Sequence, residues 1–188
     1  MKVTSVQPTP NPNAFKFLVD RTLVETGVRN YTKPTEATGD PLAAAIFGIQ
    51  DVDTVFLCEN FVTVSMLPSA DWRSVHDAVV KLLEAHDDAA LQPDAAPAGA
   101  AASATAPASG DGDPKLLADI NELLDDRVRP ALAGDGGGLE IMSLEGKTLR
   151  IRYQGACGSC PSSVAGTLHA IQNLIQSEID EDVEVVSV

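Results

Sequence analysis

Residues 89–112, AALQPDAAPAGAAASATAPASGDG, constrain the fold of this chain more than any other stretch, because they divide it. Eleven of the 24 residues are alanine, but Pro93, Pro97 and Pro107 interrupt any continuous helix. No large apolar side chain follows Leu91 to anchor the segment on a core. It reads as a mobile linker with a reach of ~25–30 Å. A chain of 188 residues is thereby split into domains at 1–88 and 113–188, and each must build its own small core. The expected class is α+β: two small α/β-sandwich domains joined by a flexible Ala/Pro-rich linker.

In the first half, Asp40-Pro41 is a helix start signal, with Asp as the cap and Pro in the first turn, and the helix should run through LAAAIF to Gly48. DTVFLC and FVTVSML are β-rich runs on either side of Glu59-Asn60, which predicts a hairpin. Such a turn puts Val55, Leu57, Val62 and Val64 on one face and Phe56, Cys58 and Phe61 on the other. From Ala70 to His86, Trp72, Val75, Val79, Leu82 and Leu83 recur at helical spacing. TPNPN (9–13) reads as a proline-set arm or turn.

In the second half, Leu116, Leu117, Ile120, Leu123, Leu124, Val128 and Leu132 form a helical stripe that opens at Asp113-Pro114. Pro130 should kink or end that helix, and Asp135 to Gly138 read as a terminator and turn. LEIMSLE and KTLRIRYQ then form a hairpin around Gly146. A helix from Pro161 carries Val164, Leu168, Ile171 and Ile175 on one face, and VEVVSV closes the chain as a strand. The predicted order is α-β-β-α-β.

Charge narrows the function. The formal net charge is −14, and neither half nor the linker is basic, so the footprint that phosphate backbones demand is missing and nucleic acid is not expected as a partner. No apolar run is long enough to span a bilayer. MKVTSVQPTPNP has the pattern of neither a signal peptide nor a transit peptide, and three cysteines do not make a disulfide framework. The expected setting is a reducing cytoplasm.

Within GACGSCPSS (155–163), Cys157 and Cys160 sit between the end of a strand and the start of a helix. Helix N-terminal N–H groups and the positive end of the macrodipole favour thiolates there. Gly155 and Gly158 keep bulk away, which predicts an accessible pair that a large inorganic group can approach. Three chemistries fit. A thioredoxin-like redox pair has the same local position, but this half is short for that fold and no Trp precedes Cys157. A closed zinc site needs four ligands, and His169 lies ~12 Å along the helix from Pro161, better placed as a surface residue. An iron–sulfur cluster takes four cysteines, which two-fold symmetry supplies from two copies. On pattern alone the redox and cluster readings stand level and zinc stands behind them. Cys58 has no neighbouring Cys or His and reads as a buried free thiol.

A resemblance weighs on that choice. RPALAGDGGGLEI (129–141) and QGACGSCPSS (154–163) resemble the C-terminal domain of the NifU family of iron–sulfur scaffold and carrier proteins. TPNPNAFKF (9–17), PLAAAIFGI (41–49), VDTVFLCENFVTVS (52–65) and DWRSV (71–75) resemble the Nfu N-terminal domain. The resemblance implies a non-enzymatic protein. It would carry a [4Fe–4S] cluster bridging two protomers of a homodimer, with Cys157 and Cys160 as ligands to the metal. It also implies an upstream cluster donor and apo-protein recipients. A thiol–disulfide oxidoreductase using the same pair is the alternative. Gly138 stands where relatives often carry a polar residue, which weakens any specific role for Asp135 beyond shaping the turn.

Overall fold

The computed structural model describes residues 1–25, 27–86, 112–158 and 161–188, with residues 161–165 described by their backbone alone. The chain divides into two compact units, Met1–Ala104 and Thr105–Val188. The expected linker, apart from Gly112, lies outside the described residues. No described helix is long and apolar enough to cross a membrane.

The first unit is a five-stranded antiparallel sheet in the order β1-β2-β5-β4-β3, from β1 (Val3–Pro8), β2 (Ala14–Val19), β3 (Val28–Tyr31), β4 (Val52–Cys58) and β5 (Phe61–Met66). Helices α1 (Pro41–Phe47) and α2 (Trp72–Ala85) pack on one face. The β4–β5 register, Val55 opposite Val64 and Leu57 opposite Val62, gives the expected apolar face. That face meets Leu42, Ile46, Val75, Val79 and Leu83 in one cluster. Phe56, Cys58 and Phe61, on the reverse face, are also buried. Trp72 departs from the predicted stripe. It sits at the start of α2, 45% exposed, stacked on Phe15 with ring centroids 5.6 Å apart. TPNPN is the turn of the β1–β2 hairpin, in which Thr9 Oγ1 donates to the carbonyls of Asn11 and Ala14 at 2.9 and 3.0 Å.

Asp40 organises this unit. Its Oδ1 accepts from the amides of Leu42 and Ala43, both at 3.1 Å, capping α1. Its Oδ2 accepts from the Tyr31 hydroxyl at 3.0 Å and from Arg29 at 3.1 Å. One buried carboxylate thus ties the first turn of α1 to edge strand β3.

The second unit starts with α3 (Pro114–Leu123), capped by Asp113, whose side chain accepts from the Lys115 amide at 2.9 Å. The helix widens into a π turn over Leu124–Val128 and resumes as α4 (Arg129–Gly134). Pro130 explains the wide turn: it has no amide to donate to the preceding turn, and its ring needs the room. The Arg129 amide reaches back five residues to the Leu124 carbonyl. The expected kink is this local change of helix type. Ile120, Leu124, Val128 and Leu132 are the buried stripe. Next come β6 (Gly137–Glu145), β7 (Thr148–Gly155), α5 (Pro161–Glu178) and β8 (Glu184–Ser187), with β6 antiparallel and β8 parallel to the central β7. Glycines 137 and 138 belong to β6 rather than to the turn expected from sequence.

Trp72 is the single tryptophan and lies in the first unit, so its fluorescence reports that unit alone. Asp40→Ala removes two cap bonds and leaves the Tyr31 hydroxyl buried without its acceptor, whereas the part-exposed Arg29 can rehydrate. We expect a loss of about 2–3 kcal/mol in the tryptophan-monitored urea transition. Asp40→Asn keeps an acceptor at the cap and should lose less.

Candidate metal-binding site

Strands β6 and β7 bring the two glycine-rich segments together. Their register starts with Gly137 opposite Gly155, so the turn after α4 lies beside the loop that carries Cys157. The Ala156 amide donates to the Gly136 carbonyl at 3.2 Å, and the Gly158 amide donates to the Gly155 carbonyl at 3.1 Å. Gly155 has a φ of +63°, a conformation glycine adopts without penalty. This reversal returns the chain toward α5.

Cys157 packs against Gly137. A Cβ built on Gly137 would lie 2.7 Å from the Cys157 Sγ and 2.7 Å from the Gln154 carbonyl oxygen. Either approach is far closer than real side chains tolerate, so the position admits hydrogen only. A Cβ on Gly158 would meet the Tyr153 carbonyl oxygen at 2.9 Å. The thiol-bearing loop is therefore seated on bare backbone on two sides.

Cys157 is only 8% exposed and belongs to the apolar cluster that holds Leu139, Ile151 and Tyr153. This corrects the expectation of an openly accessible thiol: the missing side chain at Gly137 lets the sulfur settle against the core. Cys160, the second expected ligand, lies outside the described residues. It directly precedes Pro161, the first residue of α5. Among the described residues, no group of three or more His, Cys, Asp or Glu side chains could hold a metal ion.

Tyr153 belongs to the same apolar cluster as the thiol. It projects from β7 on the face that carries Leu149 and Ile151, opposite Leu139. Its hydroxyl is buried and has no hydrogen-bond partner among the described residues. Burial pushes the phenol up to about 12, with the charge of Cys157 adding to the shift. The group is a proton donor at every pH the protein works at. Elsewhere, Cys58 is the buried free thiol expected from its strand, pushed up to about 11 by burial and then by Glu59. His169 is exposed, as its sequence position implied.

The residues present suit a soft, bulky inorganic group. The donor is a thiol, the walls beside it are glycine backbone, and a buried O–H has no acceptor among the described residues. The sequence signal for Gly137 was the glycine run itself, read as a turn because nothing in it reveals which backbone it will face. Tyr153 carried only the alternation of its strand.

Comparison with known proteins matches the description "Scaffold protein Nfu/NifU N terminal" over residues 3–90 and "NifU-like domain" over residues 120–186. The human protein named NFU1 iron-sulfur cluster scaffold homolog, mitochondrial, is 33% identical over 178 residues, covering 93% of this chain and 67% of its own length. The chain belongs to the Nfu/NifU family of iron–sulfur cluster scaffold proteins. An Arabidopsis thaliana member, NifU-like protein 4, mitochondrial, is 32% identical over 181 residues, covering 93% of this chain and 62% of that one. Among solved structures, a NifU-like protein from Saccharomyces cerevisiae matches 42% of this chain and 72% of its own at 26% identity, with a TM-score of 0.36. The Staphylococcus aureus protein SAV1430 matches 44% of this chain and 99% of its own at 24% identity, with a TM-score of 0.41.

The Nfu relatives overturn one expectation. Both relatives are mitochondrial by name, so the cytoplasmic setting inferred from the first residues and from cysteine usage does not stand. The physical reason is plain. A reducing environment is all that unpaired cysteines report, and the relatives are longer than this chain, which spans roughly two thirds of them.

Gly137→Ala should force the Cys157 sulfur or the β7 backbone to move. We expect the second unit to lose about 1–3 kcal/mol by amide hydrogen exchange. Peptide-mapped alkylation should label Cys157 faster. Gly166→Ala, with nothing within 4 Å of the added carbon on an exposed part of α5, should instead gain about 0.5–1 kcal/mol.

Proposed function

We propose that this scaffold carries a [4Fe–4S] cluster between two copies of the chain, each supplying Cys157 and Cys160, and hands it to apo-proteins. The observation that supports the reading best is the seat of Cys157: its sulfur rests on Gly137, at the end of β7 and shortly before α5. A ligating sulfur needs one open direction only. Packing on its other side excludes water and fixes the bond vector. Two thiolates are half the usual complement for such a cluster, and a second copy related by two-fold symmetry supplies the rest.

Loading releases a proton from each cysteine thiol that becomes a ligand. Delivery is then ligand exchange. Each Fe–S bond to Cys157 or Cys160 that breaks is replaced by one to a recipient thiolate, with no net oxidation or reduction. Cluster binding belongs to residues 113–188 in this reading, and residues 1–88 recognise donor or recipient proteins. A thiol–disulfide oxidoreductase would need an attacking sulfur open to its substrate. A Cys157 that is 8% exposed does not favour that alternative.

Anaerobic reconstitution followed by iron and sulfide analysis, Mössbauer spectroscopy and sedimentation tests the proposal. About one four-iron cluster per pair of chains is expected, with monomer becoming dimer on loading. Cys157→Ser and Cys160→Ser should each abolish stable binding, whereas Cys58→Ser should leave it intact. A reconstituted monomer holding a full cluster would overturn the bridging arrangement. A colourless chain that turns over disulfides would favour the alternative. Residues 113–188 expressed alone should still load; a folded fragment that does not would refute the division between the two units.

A further inference from the structure

We infer that Tyr153 is a positioning residue for the cluster, its hydroxyl donating to the sulfur of Cys157 in the loaded chain and setting how tightly the cargo is held. The inference rests on the cluster-binding reading of Cys157 and adds a residue to it.

The argument starts from a cost. A buried hydroxyl without a partner forfeits the hydrogen bonds it makes in water, and a native fold that keeps one calls for a reason. Phenylalanine would fill the same place on β7, opposite Leu139 and in line with Leu149 and Ile151, with no such cost. Yet this chain carries the O–H, in the packed cluster that contains Cys157. Leu139 pairs with Tyr153 across the ladder, and the Cys157 sulfur fills the Cβ side of Gly137, two residues earlier on β6 and therefore on the same face.

A neutral thiol sulfur is a weak acceptor. Ligation converts it to an iron-bound thiolate, a far better one, so the missing partner arrives with the cargo. Hydrogen bonds to cluster sulfurs withdraw electron density, stabilise the more reduced and more negative state and raise the reduction potential. Groups behind the ligands also set metal affinity. The backbone around the thiol offers little competition. The Ala156 amide already donates to Gly136, and the Gly158 amide to Gly155.

The test is Tyr153→Phe beside the wild type and Cys157→Ser, all reconstituted anaerobically as the full chain. Four readouts are followed: the apo melting temperature, the rate of iron loss to a chelator, the Fe–S stretching bands in resonance Raman spectra and the cluster reduction potential. The apo variant should melt at or above the wild-type temperature, because an unpartnered group has been removed. The loaded variant should lose iron roughly 3- to 10-fold faster, as expected for one lost hydrogen bond. Its Raman bands should shift and its potential should fall. A loaded variant indistinguishable from wild type overturns the inference while leaving the cluster reading in place. So does a lowered apo melting temperature with unchanged loaded properties, which would make the hydroxyl structural. A wild-type chain that takes up no iron, or Cys157→Ser that loads normally, overturns the cluster reading and this inference with it.

Discussion

The opposition of Gly137 to Gly155 is the constraint on which the candidate site depends. Strand pairing brings two backbones to a separation set by their hydrogen bonds, and a side chain on either partner normally stands clear of the sheet. Here the thiol loop folds back over the pair, and the space a Cβ would take at Gly137 is already filled by the Cys157 sulfur and the Gln154 carbonyl. The helical run upstream has to deliver Gly137 to that point. The π turn, α4 and the Asp135–Gly136 reversal do so, anchored in the core by Leu124, Val128 and Leu132. Arg129 holds the wide turn from outside by pairing with Asp125 and donating to Asn121 Oδ1 at 3.2 Å. The geometry of one thiol is thus fixed by elements some thirty residues away in sequence.

The first unit has no comparable thiol site. Its stabilising polar centre, Asp40, is spent on tying α1 to β3, and its one cysteine is held protonated by burial within β4. What it presents outward is aromatic. Phe15, the exposed Trp72 and His76 pack ring against ring, with Trp72 and His76 edge-on at 6.0 Å. The chemical division between the units follows from this: soft-metal donors in one, a sheet with an aromatic margin in the other. The proposed carrier uses that division by keeping recognition apart from the cargo.

The sequence made the strong local signals legible. Asp40-Pro41 and Asp113-Pro114 marked helix starts whose caps are formed as expected, and Val55, Leu57, Val62 and Val64 marked the buried face through their alternation. Of the three strands missed in the first unit, the buried β2 (Ala14–Val19) was simply overlooked, whereas β1 and β3 have weak signals for physical reasons. β1 is an edge strand of half-exposed and exposed residues that ends in proline, and β3 is four residues of intermediate burial apart from Tyr31. Pro130 announced a disturbance but not its form, because a kink, a stop and a π turn all satisfy a missing amide. At the site, the C-x-x-C spacing left redox and cluster chemistry level, and only the resemblance separated them. The depth of Cys157 could not be read, since it depends on what faces it across the sheet, and that face is Gly137, from a separate segment.

Burial and lability are not opposed in such a site. The apo chain keeps Cys157 only 8% exposed, in the cluster that holds Leu139, Ile151 and Tyr153. In the proposed carrier, ligation to iron and loss of the thiol proton occur together. The reverse holds for release. Once a recipient thiolate replaces the bond to iron, the departing sulfur can recover a proton and return to an apolar seat that suits its neutral form. With a net charge of −14 on every chain disfavouring a dimer without cargo, the proposed assembly gains little from staying together after the cluster leaves. A carrier differs from a resident iron–sulfur protein in that respect: its empty state must be stable enough not to compete for the cluster it has just delivered.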